Sequence, residues 1–407
     1  MNDPKQQRSP LVNRPINVLH TRVICGSGGG PEKTILRSPG FLDKRRYRVA
    51  AAYIHPHNDG GIASIRDAAQ ALSVELHTIA ERRALDRKTV TRLAGLCDDL
   101  QIDIWHSHDY KTDLLGPLIR RRRPAMKLVT TVHGFTRETL KTRLYARLND
   151  AALLAFDHVF AVSPPLVRHC AMKGVHPDRL SYLPNAIDLK EYQRSRTTES
   201  AKQAFGIEPG TFAIGVVGRL SKEKGVDRAM RLFAGLSREN PAARLHIIGQ
   251  GRERDTLTTL AHELNIASRV CWWGWRSDMR QLLEAMDFML LTSHTEGIPN
   301  AMLEAMALGV PVAATDVGGV PDLLDHGESG LLLPSASPEQ WAARLAPLLQ
   351  WQPARADMAR RAQRRVERSF DFDQRMQRVA AQYDRLCPTA QDTTRRPTPL
   401  LLKHSAA

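Results

Sequence analysis

Short apolar runs, each ending in a glycine or a polar turn, recur along most of the chain and alternate with stretches of helical character. The first run, Ile16 to Ile24, leads into the glycine-rich loop Gly26 to Gly30 and then into a helix start at Pro31. This order of strand, glycine loop and helix is typical of an α/β domain with a parallel sheet. Further strands are predicted at residues 47–54, 74–79, 102–107, 128–132, 159–162, 180–183, 212–218, 245–248, 270–273, 288–291, 312–314 and 331–333.

The length of the chain predicts two domains. Its 407 residues exceed one ordinary hydrophobic core and suit two domains of about 180 residues each. We assign residues 1–190 to an N-terminal domain and residues 191–369 to a C-terminal domain, joined by the polar run 193–202. Each domain is predicted to be a doubly wound parallel sheet. A final helix is predicted at residues 370–387, and the polar residues 388–407 are predicted to be disordered.

Positive charge is concentrated in the first half of the chain. Residues 1–190 contain 30 basic and 18 acidic residues, a net charge of +12, whereas residues 191–387 contain 25 and 24, a net charge of +1. We therefore expect the first domain to meet an anionic partner such as lipid phosphates, an anionic glycan or a nucleic acid.

The sequence favours a soluble, cytoplasmic protein. Its N-terminus lacks the apolar core of a signal peptide, and no apolar run approaches the length of a membrane helix. The five cysteines are odd in number, scattered and without Cys-x-x-Cys spacing, which argues against a disulfide framework or a zinc site.

Two glutamates, Glu296 and Glu304, delimit the segment Glu-Gly-Ile-Pro-Asn-Ala-Met-Leu-Glu, which contains a helix start. Pro299 suits the first helical position, where its missing N–H costs nothing. The backbone amides of Asn300 and Ala301 then lack partners within the helix, and such amides bind phosphate with the help of the helix dipole. One glutamate is expected to accept hydrogen bonds from sugar hydroxyls and the other from a ribose diol. The segment therefore predicts a nucleotide-sugar site.

A second loop carries positive charge that suits the same diphosphate. The run Gly218-Arg-Leu-Ser-Lys-Glu-Lys-Gly225 follows a predicted strand, which places Arg219 and Lys224 at a strand end. Arginine offers a fork of donors and lysine a point charge. Both are expected to neutralise a leaving nucleoside diphosphate, a task for which other transferases use a divalent metal. This arrangement requires no metal.

These two motifs, together with the segment Leu183-Pro-Asn-Ala-Ile-Asp188, resemble those of family 4 retaining glycosyltransferases of the GT-B fold, also called glycosyl transferases group 1. The resemblance extends from near Gly26 to near Leu386. It implies two Rossmann-like domains facing across a cleft, the first for the acceptor and the second for the nucleotide-sugar, with the final helix packing back toward the first domain. It also implies transfer with retained anomeric configuration, without metal or cofactor, in which the leaving phosphate helps to take the acceptor proton.

The resemblance further assigns roles to single residues. His133 follows a predicted strand and is expected to lie beside the donor sugar, and Arg276 follows another and is expected to contact the nucleobase. The predicted catalytic residues are His133, Glu296, Arg219 and Lys224. The predicted donor-binding residues are Gly28, Gly29, Gly218, Arg276, Gly297, Ile298, Asn300, Ala301 and Glu304.

The segment His106-Ser-His-Asp-Tyr110 lies at another predicted strand end. Alternate histidines on a strand share one face, so a metal site is an alternative here, but the sequence offers no third ligand at a readable spacing. The resemblance implies a polar acceptor-binding cluster, and His108 and Asp109 are the predicted acceptor contacts. The basic amphipathic segment 136–150 suits an anionic bilayer or packing on the core. With the charge imbalance, a membrane-bound acceptor is preferred.

Two other functions stay open. A nucleotide-sugar epimerase or hydrolase of the same plan would use water or an internal base instead of an acceptor. A nucleic-acid-binding protein is suggested by the isoelectric point near 9.9, but no recognition motif accompanies the charge, so no nucleic acid is expected. A UDP- or GDP-linked donor is favoured, and the sugar, the acceptor and the oligomeric state are undetermined. The expected setting is bacterial polysaccharide, lipopolysaccharide or glycolipid synthesis at the inner face of the membrane.

Overall fold

A computed structural model of the protein describes residues 14–26, 28–82, 86–134 and 140–388, without the side chains of residues 140–144. Its contacts divide the chain into two compact units. The first contains the described residues up to Thr131, Leu144–Val159 and those from Met376 onward. The second contains the described part of Val132–Arg143 together with Phe160–Arg375.

The first sheet has seven strands, in the order β3-β2-β1-β4-β5-β6-β7. In chain order, β1 to β7 are Ile16–Val23, Tyr47–Pro56, Glu75–Glu81, Ile104–Ser107, Lys127–Val132, His158–Ala161 and Leu180–Tyr182. Strand β1 pairs in parallel with both β2 and β4, which places His20 opposite His106. The order of the strands reverses between β1 and β4, and ligands of open α/β sheets bind at such a switch point.

The second sheet has six strands and repeats this plan, in the order β10-β9-β8-β11-β12-β13. In chain order, β8 to β13 are Phe212–Val217, Ala243–Ile248, Val270–Gly274, Phe288–Leu291, Val312–Thr315 and Leu331–Leu333. All neighbouring strands of this sheet are parallel. Its switch point lies between β8 and β11. The predicted pair of doubly wound parallel sheets is therefore confirmed.

Helices provide most of the crossover connections that parallel pairing requires. In chain order, the helices α1 to α15 of the described residues are Gly30–Arg37, Ile62–Ala71, Arg87–Asp99, Tyr110–Arg120, Leu140–Leu153, Pro164–Met172, Thr198–Ala204, Val226–Glu239, Arg254–Glu263, Met279–Glu284, Asn300–Ala307, Val320–Leu323, Pro338–Gln350, Gln352–Ser369 and Phe372–Leu386.

Hydrophobic clusters anchor the helices of the second sheet. Met302 and Leu303 of α11 are fully buried in one cluster, and Phe233 of α8 and Trp341 of α13 are fully buried in another. Burial of one such side chain stabilises a fold by about 1.5–3 kcal/mol. Helix α11, which follows the Glu296 loop, is therefore held firmly by its apolar side.

The polar segment 193–202, which was predicted to connect the domains, is hydrogen-bonded to other parts of the second unit. Arg194 Nε donates to the Leu308 carbonyl at 2.8 Å, and the Ser195 amide donates to Glu284 Oε1 at 2.8 Å. The domain limits given above stay predictions.

The last helix brings two side chains into the first unit. The Tyr383 hydroxyl lies 2.5 Å from His106 Nδ1, and the Tyr47 hydroxyl donates to Asp384 Oδ1 at 2.5 Å. These contacts bind residues beyond 376 to strands β4 and β2 of the first sheet.

Parts of the segments predicted to be disordered or to meet a membrane lie outside the described residues. Residues 389–407, predicted to be disordered, and residues 136–139 of the predicted amphipathic segment lie outside the described residues. The remainder of that segment is the start of α5. Among the described helices, none has both the length and the apolar character needed to cross a bilayer.

Candidate functional site

An ion pair joins the two loops at the switch point of the second sheet. Lys224, on the loop after β8, places Nζ 2.7 Å from Oε1 of Glu296, on the loop after β11. The Glu296 side chain is only 8% exposed, and Lys224 is largely covered. The structure thus brings together two residues that lie 72 positions apart in the chain. Both were predicted from sequence as catalytic.

Close backbone packing fixes the Lys224 loop against β11. Gly225 has φ +57°, and a Cβ at this position would lie 2.3 Å from the Thr292 carbonyl oxygen. In return, the Thr292 hydroxyl donates to the Gly225 carbonyl at 2.7 Å. Only glycine meets both demands, so the residue after Lys224 determines where its side chain can reach.

A glycine pair supports the Glu296 loop from the other side. A Cβ on Gly318, which has φ +59°, would lie 1.7 Å from the Glu296 carbonyl oxygen. The Gly319 amide donates to the Gly297 carbonyl at 3.0 Å. The loop after β12 is therefore the support on which the Glu296 backbone rests. The sequence pattern assigned this glycine pair no role in the site.

Helix α11 begins at Asn300, one residue later than predicted, so Pro299 is the N-cap. The Pro299 carbonyl accepts from the amides of Met302 and Leu303 at 3.1 and 3.2 Å. In the described part of the chain, no acceptor bonds to the Ala301 amide. A helix start of this kind attracts an anionic oxygen.

Asn185 links another sequence motif to this helix start. Its Nδ2 donates to the Ile298 carbonyl at 2.7 Å, and its side chain is buried. The Leu-Pro-Asn segment noted in the sequence therefore holds the Glu296–Pro299 loop. This role was not predicted, because the motif lies more than a hundred residues away.

Glu304 lies on α11 and is only 4% exposed. Burial of a carboxylate is costly unless it is hydrogen-bonded or paired. It lies one turn inside the helix, and its contact with a ribose stays a prediction.

The other predicted cation, Arg219, lies at the edge of the site. Its side chain is 72% exposed and bonds to Glu223 Oε1 at 2.5 Å. Gly218 precedes it, and the stem of Lys224 passes 3.7 Å from the position of a Cβ on Gly218. Lys224 is thus enclosed by its surroundings, whereas Arg219 must leave its surface partner to reach a ligand.

His133 lies beside the glycine of the Glu-Gly motif within the second unit. It follows β5 and is half-buried. A Cβ on Gly297 would lie 3.0 Å from the His133 carbonyl oxygen and 3.0 Å from Val162 Cγ2. The structure therefore places the His133 backbone against the loop that carries Glu296. Its contact with the donor sugar stays a prediction.

Arg276, the predicted nucleobase contact, is held by an acidic neighbour. The Arg276 guanidinium donates two hydrogen bonds to Asp278, at 2.8 and 2.5 Å, and these bonds lower the pKa of the Asp278 carboxyl. Trp275 precedes it and is 58% exposed. By contrast, Trp272 lies under Arg254 and Trp273 donates to His246. Trp275 is the exposed aromatic of this loop, a feature that sequence reasoning did not single out.

In the first unit, Gly28 and Gly29 lie at the end of the glycine loop, directly before α1. The Gly29 amide donates to Glu32 Oε2 at 2.6 Å, and Arg22 bonds to the other oxygen of the same carboxylate. Glu32 is buried, so it ties the glycine loop to the end of β1. Contacts of Gly28 and Gly29 with a donor stay predictions.

Asp109, a predicted acceptor contact, caps helix α4. Its carboxylate accepts from the amides of Lys111 and Thr112 at 2.9 and 3.1 Å and from that of Val23 at 2.6 Å. Burial raises its pKa, while the charge of Arg22 opposes the rise. The carboxylate joins the ends of β1 and β4, and its acceptor role stays a prediction.

His108, the other predicted acceptor contact, belongs to a buried group of three imidazoles. Its Nε2 lies 2.8 Å from Nδ1 of His20, and His106 is hydrogen-bonded to Tyr383 and Thr131. Two of the ring pairs are stacked, with 16° and 29° between their planes, and His20 is tilted by 31° against His106. The ligand atoms of the three rings lie within 4.8 Å of one another, a spacing that a metal ion could use, but both nitrogens of His106 are already engaged by Tyr383 and Thr131. His20 is the third histidine that the sequence did not reveal, and the geometry suits a hydrogen-bonded network.

Asp113 is a buried carboxyl behind the same strand ends. Its Oδ1 accepts from the hydroxyls of Ser107 and Thr130 at 2.5 and 2.7 Å. Burial raises its pKa to about 7, although both hydroxyls favour the charged form. Asp113 is therefore a titratable group inside the first unit near neutral pH.

Two family models match the chain in succession. The model described as Glycosyltransferase Family 4 matches residues 28–191, and the model described as Glycosyl transferases group 1 matches residues 197–365. The second match includes both the Lys224 and the Glu296 loops.

Known proteins agree with these matches. A D-inositol 3-phosphate glycosyltransferase from Nocardia farcinica is 30% identical over 381 residues, which cover 81% of this chain and 80% of that protein. A UDP-Gal:alpha-D-GlcNAc-diphosphoundecaprenol alpha-1,3-galactosyltransferase from Escherichia coli is 27% identical over 257 residues, 61% of this chain and 66% of that protein.

The fold has close counterparts among solved structures. Anabaena HepE, crystallised in complex with UDP-glucose, matches with a TM-score of 0.79 at 20% identity, over 91% of this chain and all of that one. At this identity the likeness concerns the fold alone. The sequence matches, the paired parallel sheets and the Lys224–Glu296 site lead to one assignment: the chain belongs to the family 4, group 1 glycosyltransferases of the GT-B fold.

Proposed function

We propose that this glycosyltransferase moves a sugar from a nucleoside-diphosphate sugar to a hydroxyl of a glycan or glycolipid, with retention of configuration and without a metal. The observation that carries the proposal is the Lys224–Glu296 pair, 2.7 Å apart, beside the start of α11. A cation, a carboxylate and a helix start are the groups that a diphosphate linked to a polyhydroxyl sugar needs.

The division of labour follows from charge. The Lys224 ammonium and the amides at the start of α11 stabilise the negative charge that develops on the leaving diphosphate. Arg219 joins them after leaving Glu223. Glu296 accepts hydrogen bonds from the sugar hydroxyls, Glu304 binds the ribose, and His133 stabilises charge near the anomeric carbon.

Retention by departure and attack on one face fits the proposed roles of Glu296 and Glu304 better than a double displacement does. A double displacement needs two carboxyl groups about 5 Å apart at the anomeric carbon. Here Glu304 is assigned to the ribose, and Glu296 is assigned to the sugar hydroxyls, with its Oε1 held by Lys224 and by the Ser293 hydroxyl, each at 2.7 Å. The leaving phosphate is then the base that takes the acceptor proton.

A UDP-linked donor is our first choice and a GDP-linked donor our second. The E. coli relative is named for UDP-Gal, and HepE was crystallised with UDP-glucose. In this chain the exposed indole of Trp275 offers a stacking surface for the base, next to the predicted contact Arg276.

The acceptor is proposed to be lipid-linked and to be met at an anionic membrane surface. The E. coli relative is named for a diphosphoundecaprenol acceptor. In the first unit, Tyr110 stacks on Tyr145 with ring centroids 5.2 Å apart, which places the start of α4 beside α5. Leu118 of α4 and Leu148 of α5 are both exposed. Among the four consecutive arginines at 120–123, Arg121 and Arg122 are exposed, whereas Arg120 and Arg123 bond to Asp157 and Asp98. Apolar and cationic side chains in this combination suit a bilayer surface.

Thermal unfolding with UDP, GDP, ADP and their sugars, each with and without EDTA, tests the donor site. A ligand that binds only the folded protein raises the unfolding midpoint. We expect an EDTA-resistant rise with one nucleotide and its sugar. A rise abolished by EDTA contradicts metal independence, and no rise with any of them contradicts the proposed donor class.

Incubation with the donor alone distinguishes transfer from the rival activities. We expect no free sugar and no epimer without an acceptor. Release of free sugar at a rate equal to transfer identifies a hydrolase, and conversion of the sugar identifies an epimerase.

A further inference from the structure

Both hydrogen bonds to the Glu296 carboxylate converge on one of its two oxygens. Lys224 Nζ and Ser293 Oγ each lie 2.7 Å from Oε1. Among the described residues, none donates to Oε2. One oxygen is thus held by the protein and the other is available as an acceptor.

The Ser293 hydroxyl is the more rigid of the two donors. Ser293 is 0% exposed and comes two residues after the end of β11. Its carbonyl accepts from the Thr315 hydroxyl at 2.7 Å, which fixes its backbone to the neighbouring strand β12. A buried serine attached to two central strands has little freedom to move, whereas lysine is a flexible point charge.

A diphosphate bound at this site would attract Lys224 but would have no direct effect on Ser293. A nearby diphosphate attracts the ammonium group, because its charge exceeds that of one carboxylate. The Ser293 hydroxyl has no charge to be drawn away. During the reaction it is then the donor that still holds Oε1.

We infer that Ser293 is a positioning residue, whose hydrogen bond to Oε1 fixes the Glu296 carboxylate and leaves Oε2 to accept from a hydroxyl of the donor sugar. It acts through Glu296 and does not touch the donor. The inference rests on the proposed function, since it assumes a nucleotide-sugar in this site. Loss of the Ser293 hydroxyl should therefore weaken binding of the sugar nucleotide and not binding of the nucleoside diphosphate alone.

Calorimetric titration with UDP and UDP-glucose, and in parallel with GDP and GDP-mannose, tests this separation. The quantity measured is the ratio of the dissociation constants of the nucleoside diphosphate and its sugar. Ser293→Ala is expected to change that ratio about tenfold against the sugar nucleotide, in line with loss of a hydrogen bond to a charged group. Binding of the nucleoside diphosphate is expected to stay within about twofold, the scatter usual for distant effects.

Two further variants keep the test independent of folding. Ser237→Ala removes a buried serine hydroxyl that donates to the Ala234 carbonyl on α8 and contacts neither Ser293 nor Glu296, and we expect a lower unfolding midpoint with an unchanged ratio. Ser293→Cys keeps the side-chain shape with a weaker donor, and we expect a ratio between those of the wild type and the alanine variant.

The outcomes are distinct. A ratio that Ser293→Ala leaves unchanged while both ligands weaken equally means a structural role and overturns the inference. If the wild-type protein binds none of the four ligands, the proposed function fails, and the positioning role fails with it.

Discussion

Lys224 and Glu296 form an ion pair 2.7 Å long across the switch point of the second sheet. The pair is mostly removed from solvent, so the loss of either partner leaves a poorly hydrated charge, which is more costly than the pair itself is favourable. Each side chain therefore holds the other in position. A diphosphate need only replace one carboxylate contact of the lysine.

Replacement of Lys224 by alanine is expected to weaken binding of the sugar nucleotide by about tenfold or more, because a charge-assisted contact to phosphate is lost. Isothermal calorimetry with the nucleotide selected by thermal unfolding measures the change. Lys222→Ala, an exposed lysine on the same loop, is the matched control. Equal affinities for the two variants would refute the assignment of Lys224.

Glu304→Gln is expected to weaken nucleotide binding about tenfold with little effect on the unfolding midpoint, because the amide keeps the volume of the buried side chain but accepts a ribose diol poorly. Titration of the nucleoside diphosphate without sugar isolates this contact. Normal affinity for the nucleoside diphosphate would show that Glu304 serves the helix core instead.

Trp275→Ala is expected to reduce nucleotide affinity about tenfold, in line with stacking of about 1–3 kcal/mol per base. Arg276→Ala is expected to have the smaller effect, because Asp278 already binds its guanidinium. Trp351→Ala removes another exposed tryptophan after α13 and should leave affinity unchanged. An effect of Arg276→Ala larger than that of Trp275→Ala would reverse this order.

Gly318→Ala is expected to lower the unfolding midpoint more than Gly210→Ala does. Both positions have positive φ, which costs a side chain roughly 1–2 kcal/mol, but a Cβ on Gly210 meets open space whereas one on Gly318 overlaps the Glu296 carbonyl. For a domain of this size, each kcal/mol corresponds to about 2–4 °C. Equal shifts in scanning calorimetry would mean that the Gly318 loop moves aside without cost.

Asp113 is expected to make the first unit less stable as the pH rises. Burial raises its folded-state pKa from 3.8 to about 7, so its contribution to stability is fully present below about pH 4 and is lost as the pH passes through 7. The contribution is at most about 4 kcal/mol. Asp113→Asn mimics the neutral form and should shrink the difference between the unfolding midpoints at pH 5 and pH 8. Asp67→Asn, an exposed residue, should not.

The strands were predictable because each is an apolar run that ends in a turn. All thirteen strands of the described residues overlap predicted ones, usually within two residues at each end. The proximity of Glu296 and Lys224 was predictable for a similar reason, since both belong to short motifs at strand ends. A local pattern was sufficient in each case.

Contacts between distant segments were not predictable. The roles of Ser293, Gly318 and Asn185 depend on the neighbours that the sheet order gives them, and no spacing in the sequence encodes that order. The same holds for His20, which reaches His106 only through the pairing of β1 with β4. The exposure of Trp275 likewise could not be predicted, because the sequence does not show which of Trp272, Trp273 and Trp275 faces solvent at the end of β10.

The contacts of Tyr383 and Asp384 bear on any attempt to divide the protein into separately expressed pieces. A fragment that stops before Met376 would lack the phenol against His106 and the carboxylate that accepts from Tyr47. Because the second unit is inserted within the sequence of the first, a single cut would yield a first half with an uncovered histidine face. An excised version of that half should therefore carry the C-terminal residues as an added segment or a co-expressed peptide.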